Sequence, residues 1–479
     1  MINKALEEIV GVDHIFDDPE TLENYSKDRS LSQPRRPSYV VKPKNTEEIQ
    51  AIIKLANRTL IPITPVSSGA HFYTETIPHQ GGIILDLRRM NKILNVDRRN
   101  RAVRIEPGVT WGQMKKELKK HDLIPLTPLL PHSSKSALTS TLEREPMLIP
   151  KTEYGEPVLT MEVVLPNGEV FRTGSACVGP PDEIQTDLVG PSGPGLDWFR
   201  LFQGAQGTFC IVTWVNMKVP PLPKMEKVFF IPFQKIEKVI EPLYAMLRQM
   251  LGAECFLLNR FNLACILAKK WPGDFKALKK VLPPFTLILC LSGGKILAKE
   301  KIDYQEADLR EIAHRFKIKL RTNLPGLGEK KGIALLNLLR SPWEKEPYWK
   351  ERFKERCCDI FFYTTLDRVP YFTQLVSKEA PHKGYDTKEI GFYFQPLEGG
   401  RACYLEFNFP WNREDKKKIY DLYLNLSTRL VNEGAFFGRP YGQWSELVYN
   451  RNSALTTTLS NLKRIFDPNQ IMNPGKLCF

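Results

Sequence analysis

The double proline Pro220-Pro221 is the feature that most constrains how this chain folds. It closes a β-rich run over residues 209–219, and two successive prolines end regular structure because proline lacks a backbone N–H and has a fixed φ. Before this point short strands and helices alternate, and after it both kinds of element are longer. A chain of 479 residues is also too long for one ordinary core. The sequence therefore predicts a domain boundary near residue 220.

The first part of the chain has the alternating pattern of an α/β structure. Residues 46–57 have an amphipathic helical pattern, with Thr46 as the expected N-cap and glutamates in the first turn, where the helix dipole favours acids. Asn167-Gly168 between two β-rich runs predicts a hairpin. The other elements expected here are strands over 37–41, 61–65, 81–86 and 102–105, and a helix over 111–121.

Beyond residue 220 the pattern predicts an α+β domain in which helices cover an antiparallel sheet. Helices are expected over 235–251, 297–316 and 348–357, and strands over 285–291, 360–364, 390–395 and 402–409. The tail is expected to hold two further helices, over 414–433 and 455–466.

Composition excludes several classes of protein. Hydrophobic residues make up 42% and charged residues 25%, which is typical of a globular chain and excludes a disordered or collagen-like one. No window approaches the roughly 18 apolar residues of a membrane span. The first residues include acids where a secretory signal would have an apolar segment. We expect a cytoplasmic protein with no transmembrane segment.

Cysteines and net charge narrow the partners further. The nine cysteines contain no CxxC pattern, so neither a zinc ribbon nor an iron–sulfur site is expected. We expect reduced, mostly buried thiols instead. The net charge of +14 would suit nucleic acid, an anionic substrate or an acidic partner. The lysines fall mainly in helical patterns, and no nucleic-acid-binding motif occurs. We expect no nucleic-acid partner.

Four phrases, taken in order, resemble a known family. They are RRPSYVVKPKNTEEIQAIIKLANRTLIPITPVSSGAHF, TMEVVLPNGEVFRTGSA, GPGLDWFRLFQGAQGTFCIVT and, near the end, FDPNQIMNPGK. They are similar to the vanillyl-alcohol oxidase / p-cresol methylhydroxylase flavoprotein superfamily. The N-terminal third most resembles glycolate oxidase FAD subunits and D-lactate dehydrogenases. The resemblance covers nearly the whole chain.

The resemblance implies an α+β fold with two domains and FAD as the cofactor. The FAD-binding domain, made of two α/β subdomains, would comprise residues 1–220, and residues 431–479 would return to it. Residues 221–430 would form an antiparallel-sheet α+β substrate (cap) domain over the isoalloxazine. The expected chemistry is oxidation of a carbon bearing oxygen, by hydride transfer to flavin N5, in an oligomeric assembly.

The residues of two loops agree with an FAD site. The small residues of the loop after residue 66 leave backbone N–H groups free to approach a pyrophosphate, and residues 204–208 would bring backbone against flavin or adenine. Either loop alone fits an ordinary turn equally well. The cofactor-binding residues implied by the resemblance are Val66, Ser67, Ser68, Gly69, Ala70, His71, Ser136, Thr139, Ser140, Gly207, Thr208, Ile211 and Asn473.

Three positions depart from the family or leave alternatives open. Relatives have a glycine-rich loop where this chain has the hydroxyl-rich residues 133–140, whose hydroxyls could bond the pyrophosphate in place of bare backbone. Cys210 stands where glycine is common. His71 resembles the histidine that some relatives bond to the flavin 8α-methyl, and the alternative is an uncrosslinked histidine.

The tail segment Gly438-Arg439-Pro440-Tyr441-Gly442 resembles the region that supplies catalytic side chains in the vanillyl-alcohol oxidase branch. Arg439 would stabilise the anionic reduced flavin, and Tyr441 would stabilise an oxyanion or take a substrate proton. A structural arginine at a turn beside a packed tyrosine is the alternative. Candidate substrate-binding residues on the central strands are Tyr393, Glu406 and Asn408. Alternate residues on a strand share one face, and the alternative is that this face is simply core. Glu143-Arg144 resembles a pair of the aryl-alcohol branch or is a surface ion pair.

We predict no metal, because the stretches that match metal-binding segments of hydroxy-acid dehydrogenases, residues 401–408 and 433–441, offer few ligands. The leading hypothesis is an FAD-dependent oxidoreductase that dehydrogenates a hydroxyl- or phenol-bearing carbon of a small-molecule substrate and passes electrons to a separate acceptor. One alternative is a 2-hydroxy acid dehydrogenase subunit of a larger complex. An alternative of another class is a non-catalytic flavin electron-transfer subunit.

Overall fold

The computed structural model describes residues 2–150, 157–178, 187–324 and 332–479. Within these residues the strands form three sheets of four, five and six strands. None of the described helices combines the length and the apolar character needed to cross a membrane.

The four-stranded sheet has the strand order β1-β2-β4-β3. Its strands are β1 (Ile15–Phe16), β2 (Tyr39–Val41), β3 (Ile63–Val66) and β4 (Ile83–Asp86). β2, β4 and β3 run parallel, whereas β1 is antiparallel to β2. Parallel strands require a crossover, and a helix connects β2 to β3. β3 leads directly into the loop of residues 67–71, so this sheet positions one of the two expected cofactor loops.

The five-stranded sheet has the order β5-β6-β9-β7-β8, and its neighbours are antiparallel. Its strands are β5 (Ile93–Asp97), β6 (Ala102–Ile105), β7 (Val158–Val164), β8 (Val170–Arg172) and β9 (Ile211–Lys218). β7 and β8 form the hairpin that Asn167-Gly168 predicts. β9 begins directly after the second expected cofactor loop.

The six-stranded antiparallel sheet has the order β10-β12-β11-β14-β15-β13. Its strands are β10 (Met225–Phe233), β11 (Glu254–Asn259), β12 (Phe285–Gly293), β13 (Arg356–Thr364), β14 (Gly391–Leu397) and β15 (Ala402–Trp411). Asp359 lies opposite Asn408, and Glu406 lies opposite Tyr393. Opposed residues, and alternate residues of one strand, share a face, so these four polar side chains lie on one side of the sheet.

The described helices surround these sheets. They are α1 (Ile2–Val10), α2 (Pro19–Asn24), α3 (Thr46–Thr59), α4 (Trp111–Lys120), α5 (Ala137–Leu142), α6 (Trp198–Phe202), α7 (Glu237–Arg248), α8 (Arg260–Leu267), α9 (Gly273–Val281), α10 (Ala298–Arg315), α11 (Gly332–Leu339), α12 (Val369–His382), α13 (Lys416–Asn432), α14 (Gln443–Tyr449) and α15 (Ser453–Phe466).

Two local predictions are wrong. The N-cap of α3 is Asn45, whose side chain accepts a hydrogen bond from Glu48 N, and Thr46 is already helical. The helix expected over 348–357 is a short 3-10 turn, Trp349–Glu351, followed by β13. Residues of β13 pair with β15 along its whole length, and these ladder hydrogen bonds outweigh the charged, helix-like local sequence.

The tail returns to the N-terminal sheet. The backbone N–H of Ile63 donates to the carbonyl of Ile471 at 2.7 Å, and the N–H of Asn473 donates to the carbonyl of Ile63 at 2.8 Å. Ile471 and Met472 are buried in the core of the four-stranded sheet. Earlier in the tail, Trp444 is instead buried in the core of the six-stranded sheet. From this distribution we propose the domain limits 1–220, 221–430 and 431–479.

Candidate active site

The loop after β3 offers unsatisfied backbone donors. Among the described residues, none accepts a hydrogen bond from the backbone N–H of Ser67, Ser68 or Ala70. Gly69 packs so closely against the neighbouring loop that a Cβ here would lie 2.8 Å from Ser134 Cβ, and its own N–H donates to the Ser134 carbonyl at 2.9 Å. Successive free N–H groups in a tight turn form an anion-binding concavity.

A cavity of about 100 Å³ lies beside this loop, between α5 and the start of β9. We call it the loop cavity. The expected cofactor-binding residues that line it are Val66, Ser67, His71, Thr139, Gly207 and Ile211. Gly207 has φ +72°, and a Cβ here would lie 2.4 Å from Pro65 Cγ. Only glycine adopts this positive φ without strain and leaves the Pro65 ring in place.

The other expected cofactor-binding residues are placed differently. Ser68, Gly69 and Ala70 line a second cavity on the other side of their loop. Asn473 ties the tail to the loop before β9 by donating from Nδ2 to the Gln206 carbonyl at 2.7 Å.

The hydroxyls of three predicted cofactor-binding residues form hydrogen bonds within the protein. Ser136 Oγ donates to the Pro107 carbonyl at 2.5 Å, and Thr208 Oγ1 donates to the Ala205 carbonyl at 2.7 Å. Ser140 Oγ accepts from the indole N–H of Trp111 at 3.1 Å. In this structure these hydroxyls hold the loops in shape.

His71 lies at the edge of a buried charge cluster. Its Nδ1 is 3.8 Å from Glu75 Oε1. Burial raises the pKa of Glu75, but the nearby His71 and the charge of Lys135 outweigh this and lower it to about 2. Lys135 Nζ also pairs with Glu143 at 3.0 Å and with Glu145 at 3.1 Å.

Glu143 is therefore not part of a surface ion pair. It is 8% exposed, and burial together with the neighbouring carboxylates of Glu75 and Glu145 raises its pKa to about 7 against the opposing charge of Lys135. The adjacent Arg144 donates from Nη2 to the carbonyl of Gly438 at 2.9 Å. This contact joins the loop after α5 to the tail.

The tail segment 438–442 is attached to both halves of the molecule. Besides the contact of Arg144, Gln206 Nε2 donates to the Pro440 carbonyl at 3.0 Å. Tyr441 is buried and stacks on Tyr73, with ring centroids 5.4 Å apart. The segment thus lies between the loop before β9 and the polar face of the six-stranded sheet.

Arg439 has an incomplete set of partners. Its side chain is 4% exposed and lies over the Phe361 ring, with Cζ 4.3 Å from the centroid. Nη2 donates to Tyr404 OH at 3.2 Å. Nε and Nη1 have no hydrogen-bond acceptor among the described residues. A buried guanidinium with unmet donors is costly, and an anion supplied by a ligand would satisfy it.

The polar face of the six-stranded sheet carries a buried network centred on Lys350. Lys350 Nζ is 2.6 Å from Asp359 Oδ2 and 2.6 Å from Glu406 Oε1. Asn408 Nδ2 donates to both carboxylates at 2.7 Å. Tyr404 OH donates to Glu406 Oε2 at 2.6 Å, which connects the network to Arg439.

The two carboxylates of this network differ in basicity. The pKa of Asp359 is raised by burial and by the charge of Glu406, in spite of Lys350. Burial also raises the pKa of Glu406, but Lys350 and the hydrogen bonds from Tyr404 and Asn408 outweigh it and lower this pKa. Tyr73 OH donates to Asp359 Oδ2 at 3.1 Å. The two pKa values are thus shifted in opposite directions, and Asp359 is the carboxylate whose proton affinity its surroundings increase.

These groups surround a cavity of about 80 Å³, which we call the inner chamber. Predicted site residues in its wall are Arg439, Glu406 and Tyr393, whereas Asn408 acts from behind through its contacts with the carboxylates. Tyr393 OH donates to Gln395 Oε1 at 3.2 Å. The aromatic part of the wall comprises Phe72, Tyr73, Tyr348, Trp349, Tyr393 and Tyr404.

Sequence reasoning missed four members of this site, namely Tyr73, Lys350, Asp359 and Tyr404. Lys350 falls in the segment wrongly expected to be helical, and Asp359 precedes the strand expected over 360–364. Tyr404 had a usable signal, because it alternates with Glu406 and Asn408 on one predicted strand.

A group of three potential metal-ligating side chains occurs elsewhere in the described residues. It consists of Glu226, Glu254 and Cys290, whose ligand atoms lie within 4.8 Å of one another. Arg340 Nη1 is 2.6 Å from Glu226 Oε1 and 3.4 Å from Glu254 Oε2, so the guanidinium of Arg340 already supplies the positive charge beside these carboxylates. The absence of a metal from the active site stays a prediction.

Comparisons with known proteins bear on this geometry. Residues 37–174 match a family described as an FAD binding domain. A D-lactate dehydrogenase of Anaerostipes hadrus is 24% identical over 93% of this chain and 90% of its own length. The 4-cresol dehydrogenase [hydroxylating] flavoprotein subunit of Pseudomonas putida is 32% identical over 50% of this chain. The match covers 46% of that relative's own length.

A solved structure of p-cresol methylhydroxylase with substrate bound covers 100% of this chain and 96% of its own, with a TM-score of 0.86 at 19% identity. At this identity the likeness establishes the fold alone. It confirms the two-domain α+β architecture of an FAD-binding flavoprotein with an antiparallel-sheet domain.

The residues present fit FAD. The free N–H groups at Ser67, Ser68 and Ala70 suit a pyrophosphate, and the loop cavity extends from Ser67 to the start of β9. The unmet donors of Arg439 suit the negative charge that a flavin acquires on reduction. Motifs, fold and family match agree: this chain contains an FAD binding domain, has the fold of p-cresol methylhydroxylase and is an FAD-dependent oxidoreductase.

Proposed function

We propose that this protein dehydrogenates a hydroxyl- or phenol-bearing carbon in the inner chamber and passes the electrons to a separate acceptor. Bound FAD supplies the hydride acceptor for this reaction. The observation that carries the proposal is the buried Arg439, which lines the inner chamber and whose Nε and Nη1 have no acceptor among the described residues. A small substrate that develops negative charge on oxygen satisfies these donors.

Arg439 acts as the fixed positive charge. It stays protonated at any working pH, and the surrounding tyrosine hydroxyls and Glu145 raise its pKa further although burial opposes this. Its contact with Tyr404 and its position over Phe361 hold it in one orientation. Preorganised charge of this kind stabilises a developing anion without reorganisation during the reaction.

Asp359 accepts the substrate proton, with Tyr73 as the group that relays it. The two are joined by the 3.1 Å hydrogen bond, and both line the inner chamber. The pKa of Tyr73 is raised by burial and by Asp359, so Tyr73 is a neutral donor that can pass a proton and regain one. Tyr441 stacks on Tyr73 and sets the orientation of its ring.

Glu406, Asn408 and Lys350 are positioning residues in this scheme. Lys350 bridges the two carboxylates, and Asn408 donates to both, so Asp359 is held in one geometry. With its oxygens taken by Lys350, Asn408 and Tyr404, Glu406 stays ionised. Tyr393 forms part of the aromatic wall.

Oxidation of a 2-hydroxy acid is the second candidate function. A substrate carboxylate could accept both unmet N–H groups of Arg439, and paired contacts of this kind are among the strongest that arginine makes. A relative that matches 93% of this chain carries the name D-lactate dehydrogenase. In that case the aromatic wall would contact only a short side chain.

For the electron acceptor we propose a separate partner. No CxxC pattern occurs among the nine cysteines, which disfavours an internal iron–sulfur cluster. The relative from Pseudomonas putida is named as a flavoprotein subunit, which supports an assembly with a second subunit. The basic net charge of +14 suits an acidic partner surface.

Anaerobic reduction of the bound flavin tests the function. The FAD-loaded protein is mixed with aryl alcohols, 4-alkylphenols, D-lactate and glycolate, and loss of flavin absorbance is followed in time. We expect bleaching with members of the aryl alcohol or alkylphenol sets, and slower bleaching with Asp359→Asn. Bleaching by D-lactate or glycolate alone would select the second candidate. No bleaching by any compound, together with rapid reoxidation of the dithionite-reduced flavin by an electron carrier, would indicate an electron-transfer subunit.

A further inference from the structure

A second and larger cavity lies directly behind the wall of the inner chamber. It measures about 560 Å³, and we call it the outer chamber. The two chambers share Phe72, Tyr73 and Asp359, so one layer of side chains separates them. The inner chamber, at about 80 Å³, is smaller than the roughly 150 Å³ cavity that holds a benzene molecule. The inner chamber therefore has room for the reacting end of a substrate only.

The charged groups of the outer chamber are mostly cations. Arg35, Lys416 and Lys417 line it, and none of the three has an ion-pair partner among the described residues. Asp359 is the acid in its wall, and Lys350 neutralises it at 2.6 Å. The chamber therefore presents a net positive potential to an entering ligand.

Two further groups support an anionic occupant. The pKa of His79, also in the wall, is lowered to about 4 by burial and by the charges of Lys476 and Arg35, so the imidazole is neutral at pH 7 and the local field is positive. Thr74 is 7% exposed, lines the chamber, and its hydroxyl has no hydrogen-bond partner among the described residues. A buried hydroxyl without a partner is costly unless a ligand bonds to it.

The rest of the wall is aromatic. Tyr423 stacks on Trp444 with ring centroids 5.3 Å apart, and Tyr73 stacks on Tyr441 at 5.4 Å. All four rings line the outer chamber. Flat apolar surfaces that end in a group of cations suit a molecule with an apolar body and an acidic end.

We propose that the outer chamber binds the carboxylate end of an elongated substrate whose hydroxyl-bearing carbon enters the inner chamber past Tyr73. This inference rests on the proposed oxidation and narrows its substrates to hydroxyl-bearing aromatic acids. Arg35, Lys416 and Lys417 attract the carboxylate, and the stacked rings contact the apolar body.

The test compares 4-(hydroxymethyl)phenoxyalkanoic acids of increasing chain length with their methyl esters, by anaerobic flavin reduction of the FAD-loaded protein. At low ionic strength we expect the apparent Kd of the best acid to be at least about tenfold below that of its ester, because two nearby lysines each contribute a charge interaction in high dielectric. The preference should shrink as salt is added.

Variants assign the preference to the chamber. The double substitution Lys416→Gln/Lys417→Gln should bring the apparent Kd values of acid and ester to within about twofold of each other. The Kd of the ester should stay unchanged, since a neutral tail gains little from the lysines. Lys418→Gln on the same helix is the matched control, because Lys418 is exposed and does not line the chamber, and it should keep the full preference. Equal affinity of acid and ester, or a preference that survives the double substitution, would overturn the inference.

A binding measurement separates this inference from the oxidation itself. Calorimetry with 4-phenylbutyrate and 4-phenylbutan-1-ol, neither of which can be oxidised at a benzylic hydroxyl, reports the outer chamber alone. If no alcohol bleaches the flavin but 4-phenylbutyrate binds selectively and the double substitution abolishes this, the proposed oxidation fails and the carboxylate site stands. If acid and ester bleach the flavin equally well, the oxidation stands and the carboxylate site fails.

Discussion

The loop cavity and the inner chamber are built in opposite ways. The loop cavity is shaped by backbone, with free N–H groups in the adjoining loop at Ser67, Ser68 and Ala70 and a glycine, Gly207, that no larger residue can replace without strain. The inner chamber is shaped by charged side chains, among them Lys350, Asp359 and Arg439, which come from three separate segments. A site made of backbone appears in the sequence as a continuous motif, whereas a site made of side chains depends on strand register and on long-range contacts.

The two sites should also respond differently to substitution. Disturbing the backbone site should prevent the cofactor from binding, because the shape of the loop is the binding element. Disturbing the side-chain site should leave FAD in place and slow the chemistry. Two predictions test this contrast, and a third concerns a buried carboxyl outside both sites, whose substitution should affect stability alone.

The largest effect is expected for Gly207→Ala. The substitution requires a Cβ at φ +72° and 2.4 Å from Pro65 Cγ, so the wall of the loop cavity must move. We expect FAD content, measured by absorbance at 450 nm per chain, to fall at least about tenfold, in line with a strain of a few kcal/mol at the binding surface. Gly294→Ala is the control, because a Cβ there meets nothing within 4 Å. A yellow, fully loaded Gly207→Ala protein would show that the loop does not contact the cofactor.

The next effect concerns Arg439. Arg439→Ala removes the buried positive charge and should slow flavin reduction on the order of 10²- to 10³-fold, as loss of a preorganised charge contact does. FAD content should stay within about twofold of the wild type, because the loop cavity is intact. Stopped-flow spectroscopy measures the rate of flavin reduction, and absorbance at 450 nm per chain measures the FAD content.

Arg439→Lys is the matched control for that substitution. It retains the charge but loses the planar set of donors, and partial recovery of the rate would assign the effect to charge. A protein that loses FAD with Arg439→Ala, or reduces its flavin at the wild-type rate, would contradict the separation of the two sites.

The smallest effect concerns a carboxyl on the six-stranded sheet away from both cavities. Burial and the charge of Glu226 raise the pKa of Glu254 from its ordinary 4.5 to about 7, against the effect of Arg340. Between pH 4.5 and 7 the folded protein keeps a proton that the unfolded chain releases, so stability falls as the pH rises through this window. Glu254→Gln cannot ionise and should be more stable than the wild type at pH 8, by up to 2–3 kcal/mol in order of magnitude.

Denaturation midpoints of the two proteins at pH 5 and pH 8 measure this difference. At pH 5 the midpoints should nearly coincide, and at pH 8 that of Glu254→Gln should be higher. The exposed Glu300→Gln should match the wild type at both pH values. An equal shift at both pH values would mean that Glu254 is not a raised-pKa acid.

Secondary structure followed the sequence wherever local pattern and long-range pairing agree. The hairpin around Asn167-Gly168 forms as predicted, because the turn residues and both strands favour the same geometry. The segment 348–357 does not form a helix, because β13 gains its hydrogen bonds from β15, about fifty residues further along the chain. β10 and β11 were not predicted, and both pair with β12 in the six-stranded sheet.

The sequence by itself indicated the cofactor and the fold through its resemblance to a known family, and it located the backbone loops that suit FAD, since a site made of backbone lies in one continuous stretch of small residues. It also indicated Arg439, Tyr441, Glu406 and Asn408 as candidates. Only the tertiary structure decided that Glu143 is buried beside Lys135 and that Lys350 and Asp359 join Glu406 in one network. The interaction energy of two charges depends on the distance between them. Here that distance is set by the sheet register that brings β13, β15 and the tail together, and no local sequence pattern contains this register.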